Sequence, residues 1–218
     1  MATTFFPPTA TTAPFALPIP ASSPVPMSHP ASIIPQALAS YTRSDLRNLY
    51  VLIVDDNIIN QRVLAHQLRS EGCVVDIVKN GHEALQFLGR TTFANRENGE
   101  RSLSWPHNGD SVERGGEALP LSIVLLDLEM PVMDGYSCVK HIRRMEEEGE
   151  VVGHVPVIAV TANANATKVN TAMEYGMDMV VRKPLKIPEL LPQMVSLVRR
   201  NSEASTTSTS SDSTVTSQ

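Results

Sequence analysis

Five short apolar runs recur along this chain, and their alternation with helix-spaced segments constrains its fold more than any other feature. The runs are LYVLIVDD (49–56), CVVDIVKN (73–80), PLSIVLLD (120–127), VPVIAVTAN (155–163) and MDMVVRKP (177–184). Rich in β-branched residues and short of period-two alternation, they read as strands covered on both faces. Asn57 is placed to cap IINQRVLAHQLRSEG, where Ile59, Val63, Ala65 and Leu68 recur at helical spacing and Gly72 stops the run. GHEALQFLG, GYSCVKHIRRMEEEG, TKVNTAMEYG and IPELLPQMVSLVRR fill the later gaps. Tyr136, Val139, Ile142 and Met145 fall three apart in the second of these. Pro188 suits the first turn of the last helix, and Pro192 lies near enough to its start to be tolerated. Five strands alternating with five helices predict an α/β fold: a parallel sheet with right-handed crossovers and helices on both faces.

The flanks differ from this core in composition. The first 42 residues contain no Lys, Arg, Asp or Glu, and nine of the 16 prolines lie at or before Pro35. Residues 1–45 are therefore expected to be a disordered Pro-rich segment, and 46–200 the folded domain. Residues 201–218, with 12 Ser or Thr among 18, are expected to be a disordered tail. Inside the domain, residues 90–120 are polar and without period, which predicts a disordered insertion. Because it joins a helix to the third strand, it should lie at the N-terminal edge of the sheet, with Trp105 a partly buried loop residue. The EEE run at 146–148 reads as a solvated helix end.

Several function classes are disfavoured. A formal net charge of −5 and the lack of a basic stripe argue against direct nucleic-acid binding. No run approaches membrane-spanning length, and the N-terminus resembles neither a secretory signal nor a transit peptide. The expectation is a soluble intracellular protein, cytoplasmic with the nucleus open to it. Cys73 and Cys138 read as isolated buried thiols of a reducing compartment. The six histidines (29, 66, 82, 107, 141, 154) show no zinc-ligand spacing, and His66 reads as a surface residue.

The strand ends carry the chemistry. Ligands of open α/β sheets bind beyond the carboxyl ends of the strands. Those ends hold Asp55 and Asp56 after the first strand, Asp127 at the third, Thr161 at the fourth and Lys183 at the fifth. Two carboxylates about 4 Å apart repel by roughly 4 kcal/mol at an effective dielectric of 20, so three together need cations. Lys183 supplies one charge, and Mg²⁺, a hard ion that takes carboxylates, waters and phosphate oxygens, suits the rest. A carboxylate in that setting can attack phosphorus to give an acyl phosphate. Asp127 is expected at an exposed strand tip, since burying a lone carboxylate is costly.

VLIVDDN, LLDLEMPVMDG, VIAVTAN and VRKP stand in order at the element ends, and over about residues 49–200 the chain resembles the receiver domain of two-component response regulators. VLAHQL, HVPVIAVTANA and KIPELLP look most like the carboxy-terminal receivers of fungal hybrid histidine kinases. The resemblance implies a flavodoxin-like (βα)5 receiver fold with Asp127 as phosphoacceptor. It implies Mg²⁺ held by Asp56, by Asp55 through water, by Asp127 and by the backbone carbonyl of Glu129. Thr161 becomes the switch hydroxyl, and Lys183, through a cis bond to Pro184, the contact to the phosphoryl oxygens. Val180 stands where the family often has an aromatic ring that swings with the threonine. Glu129 is acidic where the family varies, which points to an effect of its side chain on access of water. Pro131 and Gly135 shape the turn after the acceptor, and Asp134 caps the next helix.

The implied function is phosphorelay signalling: a phosphoryl group passes from phosphohistidine to Asp127 and switches a partner-binding surface. The expected partner is a histidine-phosphotransfer protein or a hybrid histidine kinase. The chain would be a stand-alone receiver or the carboxy-terminal part of a hybrid kinase, a signalling domain rather than an enzyme with turnover. The alternative is a Mg²⁺-dependent phosphohydrolase of the haloacid-dehalogenase type. That chemistry wants a second aspartate two residues past the nucleophile, where this chain has Glu129. No pattern in the sequence fixes the oligomeric state.

Overall fold

The computed structural model describes residues 41–95 and 118–207. Its strands β1 (Tyr50–Val54), β2 (Val74–Val78), β3 (Ile123–Asp127), β4 (Val157–Thr161) and β5 (Met179–Arg182) form one parallel sheet in the order β2-β1-β3-β4-β5. The three central strands β1, β3 and β4 are buried along their whole length, as their unbroken apolar runs require. Helices α1 (Arg43–Arg47), α2 (Ile58–Ser70), α3 (Gly81–Leu88), α4 (Gly135–Glu147), α5 (Ala166–Glu174) and α6 (Ile187–Thr207) complete the fold. The sheet of five parallel strands with helices on both faces is as the sequence predicts.

Alternate residues of each strand feed two cores. Leu52, Val54, Val124, Leu126, Val157 and Ala159 point to one face and pack with α3, α4 and Ala172 of α5. Val51, Ile53, Ile123, Leu125, Ile158 and Val160 point to the other and pack with α1, α2 and α6. This period-two division gives each central strand two dry faces and stiffens the strand ends that carry the acids.

The helix after β1 departs from expectation in the face it buries. Asn57 caps α2, accepting from the backbone N–H groups of Ile59 (2.9 Å) and Asn60 (3.3 Å). Its buried stripe is Gln61, Leu64, Ala65 and Leu68, whereas Ile58, Ile59 and Val63 are exposed, at 55%, 68% and 53%. The helix carries two apolar stripes, and the one with Leu64 and Leu68 takes the sheet.

The domain edges also move. The expected boundary at residue 45 cuts through α1, whose start is held by a reciprocal cap between Thr42 and Asp45. Leu46 and Leu49 are buried in the second core, and Asp45 pairs with Arg199 of α6 at 2.9 Å. At the other end α6 continues past Arg200 to Thr207, into the stretch expected to be disordered. Helical hydrogen bonding already started in an amphipathic run carries into Ser/Thr residues that would not nucleate a helix alone. The expected insertion narrows, because its two ends are built into the fold. Thr91 bridges Leu119, Ala94 bridges Val151, and Phe93 packs on the first core. Residues 1–40, 96–117 (with Trp105) and 208–218 lie outside the described residues.

Glu146 corrects the reading of the EEE run as a solvated end. Its carboxylate meets Arg143 Nη1 at 2.5 Å and accepts from the Val155 N–H at 2.7 Å. Asp178 joins this cluster, 3.1 Å from Arg143 Nη2 and 2.8 Å from the N–H of Val157. His154 Nε2 lies 2.6 Å from Asp178 and its Nδ1 3.3 Å from Glu146. Those two hydrogen bonds, Asp178 first, raise its pKa from 6.5 to about 9 against the effect of burial. A raised folded pKa contributes stability that is full below pH 6.5 and is lost as pH rises through about 9. The ring is partly solvated, so screening limits the gain to about 1 kcal/mol. Urea unfolding at a series of pH values should show wild-type stability declining across that window, and His154→Gln should lack the decline.

Candidate functional site

Strand register assembles the site before any side chain is considered. Val54 sits beside Leu126, so the next residues, Asp55 and Asp127, emerge side by side at the crevice where the strand order reverses. Asp127 sits beside Val160 and Thr161 beside Arg182, which delivers Thr161 and Lys183 to the same rim.

Asp55, Asp56 and Asp127 each offer a carboxylate oxygen within 4.8 Å of the others. Lys183 spans two of them, its Nζ 2.5 Å from Asp127 Oδ2 and 2.8 Å from Asp55 Oδ2. The Lys183–Pro184 peptide bond is cis. Asp127 is not an exposed tip: it is 7% accessible, and Asp55 is 5%. The ammonium supplies the counter-charge that water would otherwise provide, so the strand end closes over its acid. Burial is the largest influence on Asp127 and raises its pKa, opposed by the Lys183 hydrogen bond and by the Glu129 N–H, which donates to Oδ1 at 3.2 Å. Lys183 is pushed down by burial, but its two carboxylates outweigh this and leave its pKa raised. Asp56 is exposed to solvent at the mouth.

Two residues from the first turns of α2 hold Asp55, and spacing alone had not singled them out. Asn60 Nδ2 donates to both carboxylate oxygens at 3.3 Å, and Gln61 donates to the Asp55 carbonyl. Their position just after the DD pair, at the start of a helix leaving the crevice, is the signal that points to them. The N–H of Asn57 donates to Asp55 Oδ1 at 2.8 Å as well.

Thr161 lies on the rim but engages its own loop, donating to the Asn163 carbonyl at 3.3 Å and accepting from its N–H at 3.2 Å. Its side chain is fully buried. The carboxylate of Glu129 is not one of the three clustered acids and forms an ion pair with Lys168 in the first turn of α5. Beyond Asp127 the chain turns sharply: Val132 takes φ 71°, and Asp134 caps α4 by accepting from the Ser137 N–H at 2.7 Å. Gly135 packs directly on the end of β3, since a Cβ there would lie 2.4 Å from the Asp127 carbonyl oxygen.

A ring of oxygen donors with one ammonium fits a small hard cation and a phosphoryl group. Residues 92–195 match the model of the response regulator receiver domain. The chain is 29% identical over 168 residues to histidine kinase 1 of Arabidopsis thaliana, covering 75% of this chain and 14% of the kinase. The two-component response regulator ARR17 of the same plant is 28% identical over 142 residues, 65% of this chain and 80% of the regulator. Among solved structures, the receiver domain of the Arabidopsis histidine kinase CKI1, complexed with Mg²⁺ and BeF₃⁻, is similar at 27% identity and TM-score 0.54. That likeness covers 72% of this chain and 94% of the CKI1 receiver. The chain thus spans only a small part of the curated kinases it matches. Ordered acids, lysine and threonine on a β2-β1-β3-β4-β5 sheet, with these likenesses, identify a receiver domain of the response regulator family, the signalling module of two-component phosphorelay.

Proposed function

We propose that Asp127 accepts the phosphoryl group and that the acids of β1 and Lys183 make it reactive. The observation that carries this reading is the Lys183 ammonium lying between Asp55 and Asp127, with Asp56 in reach of both. An Asp127 carboxylate oxygen forms a bond to phosphorus as the N–P bond of a phosphohistidine breaks. The departing imidazole nitrogen keeps the electron pair and takes up a proton. Lys183 neutralises charge on the phosphoryl oxygens, and Thr161 turns from Asn163 to donate its hydroxyl to them. Asp55, Asp56, Asp127 and the backbone carbonyl of Glu129 would hold Mg²⁺, which supplies further neutralisation of phosphoryl charge when bound. Hydrolysis or onward transfer ends the state, so the domain's chemistry is confined to its own acceptor. The phosphohydrolase alternative is disfavoured by Glu129, whose carboxylate pairs with Lys168 rather than joining the acids.

The donor we propose is a histidine-phosphotransfer protein or a hybrid kinase. Any protein presenting a phosphohistidine to Asp127 must sit over the rim from which α2 departs, and Ile58, Ile59 and Val63 are exposed there. Val63→Asp should slow transfer from a phosphorylated histidine-phosphotransfer protein by about tenfold relative to labelling by a small acyl phosphate. Equal slowing of both reactions, or of neither, would count against docking on α2. The two buried free thiols, Cys73 and Cys138, suit a reducing intracellular setting.

A further inference from the structure

The Glu129–Lys168 pair joins the loop after β3 to the first turn of α5, 39 residues apart in sequence. Both ends are anchored through the backbone. The Glu129 N–H is bound to Asp127 Oδ1, and the Lys168 N–H donates to the N-cap Asn165 at 2.8 Å. An exposed pair of this kind contributes little to folding stability, so its position beside the acceptor gives it another consequence. Without Lys168, Glu129 would be a fourth negative charge at a mouth that already holds Asp55, Asp56 and Asp127. Every phosphodonor is an anion, and charges within a Debye length of about 10 Å act on its approach.

We propose that Lys168 is a positioning residue of the acceptor site: it holds the Glu129 carboxylate in an ion pair and so lifts a repulsive charge from the path of the phosphodonor. This role rests on Asp127 being the acceptor. It belongs to the pair rather than to either residue. Lys168 has no bond to the acids themselves among the described contacts, and Glu129 reaches Asp127 only through its backbone N–H.

The test is the initial rate of labelling by acetyl phosphate with Mg²⁺ at low ionic strength, in four proteins. These are the unsubstituted chain, Lys168→Gln, Glu129→Gln and the double variant, all exposed polar changes that leave the core intact. Lys168→Gln should slow labelling about 3- to 10-fold, and the loss should shrink as salt is raised. Glu129→Gln, which keeps the backbone carbonyl and leaves the Lys168 charge unpaired, should label faster than the unsubstituted chain. The double variant, which like the ion pair carries no net charge at these two positions, should label within about twofold of the unsubstituted chain and so rescue the loss of Lys168→Gln. A double variant as slow as Lys168→Gln, or no loss in Lys168→Gln, would overturn the pair's role while leaving Asp127 as acceptor. No labelling of the unsubstituted chain would overturn the acceptor reading and this role with it. The Lys168 side-chain NMR signals of the unphosphorylated protein supply an independent readout. They should move on Glu129→Gln, and unmoved signals would overturn the pairing.

Discussion

Lys183→Met will cut the rate at which Asp127 is labelled by an acyl phosphate about 10²- to 10³-fold, the usual cost of removing one aimed charge donor. It will also destabilise the metal-free fold. Asp55 and Asp127, both nearly inaccessible, share the Lys183 ammonium at 2.8 and 2.5 Å. Deleting it leaves two carboxylates facing each other in a poorly hydrated crevice. Breaking a fully buried pair costs about 3–5 kcal/mol, and the partial exposure of Lys183 reduces this to about 2 kcal/mol. Added Mg²⁺ should restore more stability to Lys183→Met than to the unsubstituted chain, because the cation meets carboxylates freed from a competing ammonium. Thermal unfolding with and without Mg²⁺, beside the labelling rate, separates the two effects. A variant that keeps its stability but not its labelling would show that Lys183 serves the phosphoryl group without balancing the acids.

Gly135→Ala will damage the fold and the site together. A methyl group there meets backbone, not movable side chains: the Asp127 carbonyl oxygen at 2.4 Å and the Leu128 Cα at 3.0 Å. Relief requires moving α4 away from the end of β3, and with it Cys138, Val139 and Ile142 in the first core. The expected loss is about 3 kcal/mol or more, the upper range for overpacking a rigid site. Surviving folded protein should label slowly, since the same movement displaces Asp127. Urea unfolding measures the first effect and labelling per folded molecule the second. A near-neutral Gly135→Ala would mean that the helix is not seated on the end of β3.

The parallel sheet and the convergence of acids were legible because both follow from short-range signals. Unbroken apolar runs mark buried parallel strands, and a parallel sheet sends all their carboxyl ends to one side, so VDD, LLD, VT and RKP had to meet. What escaped the sequence depends on which surface another element covers. In α2, Ile59 and Val63 share a stripe as regular as Leu64 and Leu68, and only the fit to the sheet decides between them. Asp127 was expected in water because a lone carboxylate prefers it; Lys183, 56 residues away, removes that need. Glu146 looked like one of three solvated acids until Arg143, His154 and Asp178 closed around it. The Lys168–Glu129 pair has no signature in spacing, since it joins the loop after β3 to the first turn of α5, whose approach is set by the whole sheet.

Everything proposed for the site depends on where the phosphoryl group goes. Borohydride reduction of the labelled protein turns an aspartyl phosphate into homoserine, which peptide mass spectrometry can assign to a residue. The account predicts homoserine at position 127 alone, dependent on Mg²⁺ and absent from Asp127→Asn. Conversion at Asp55 or Asp56, or undiminished acid-labile label in Asp127→Asn, would contradict it.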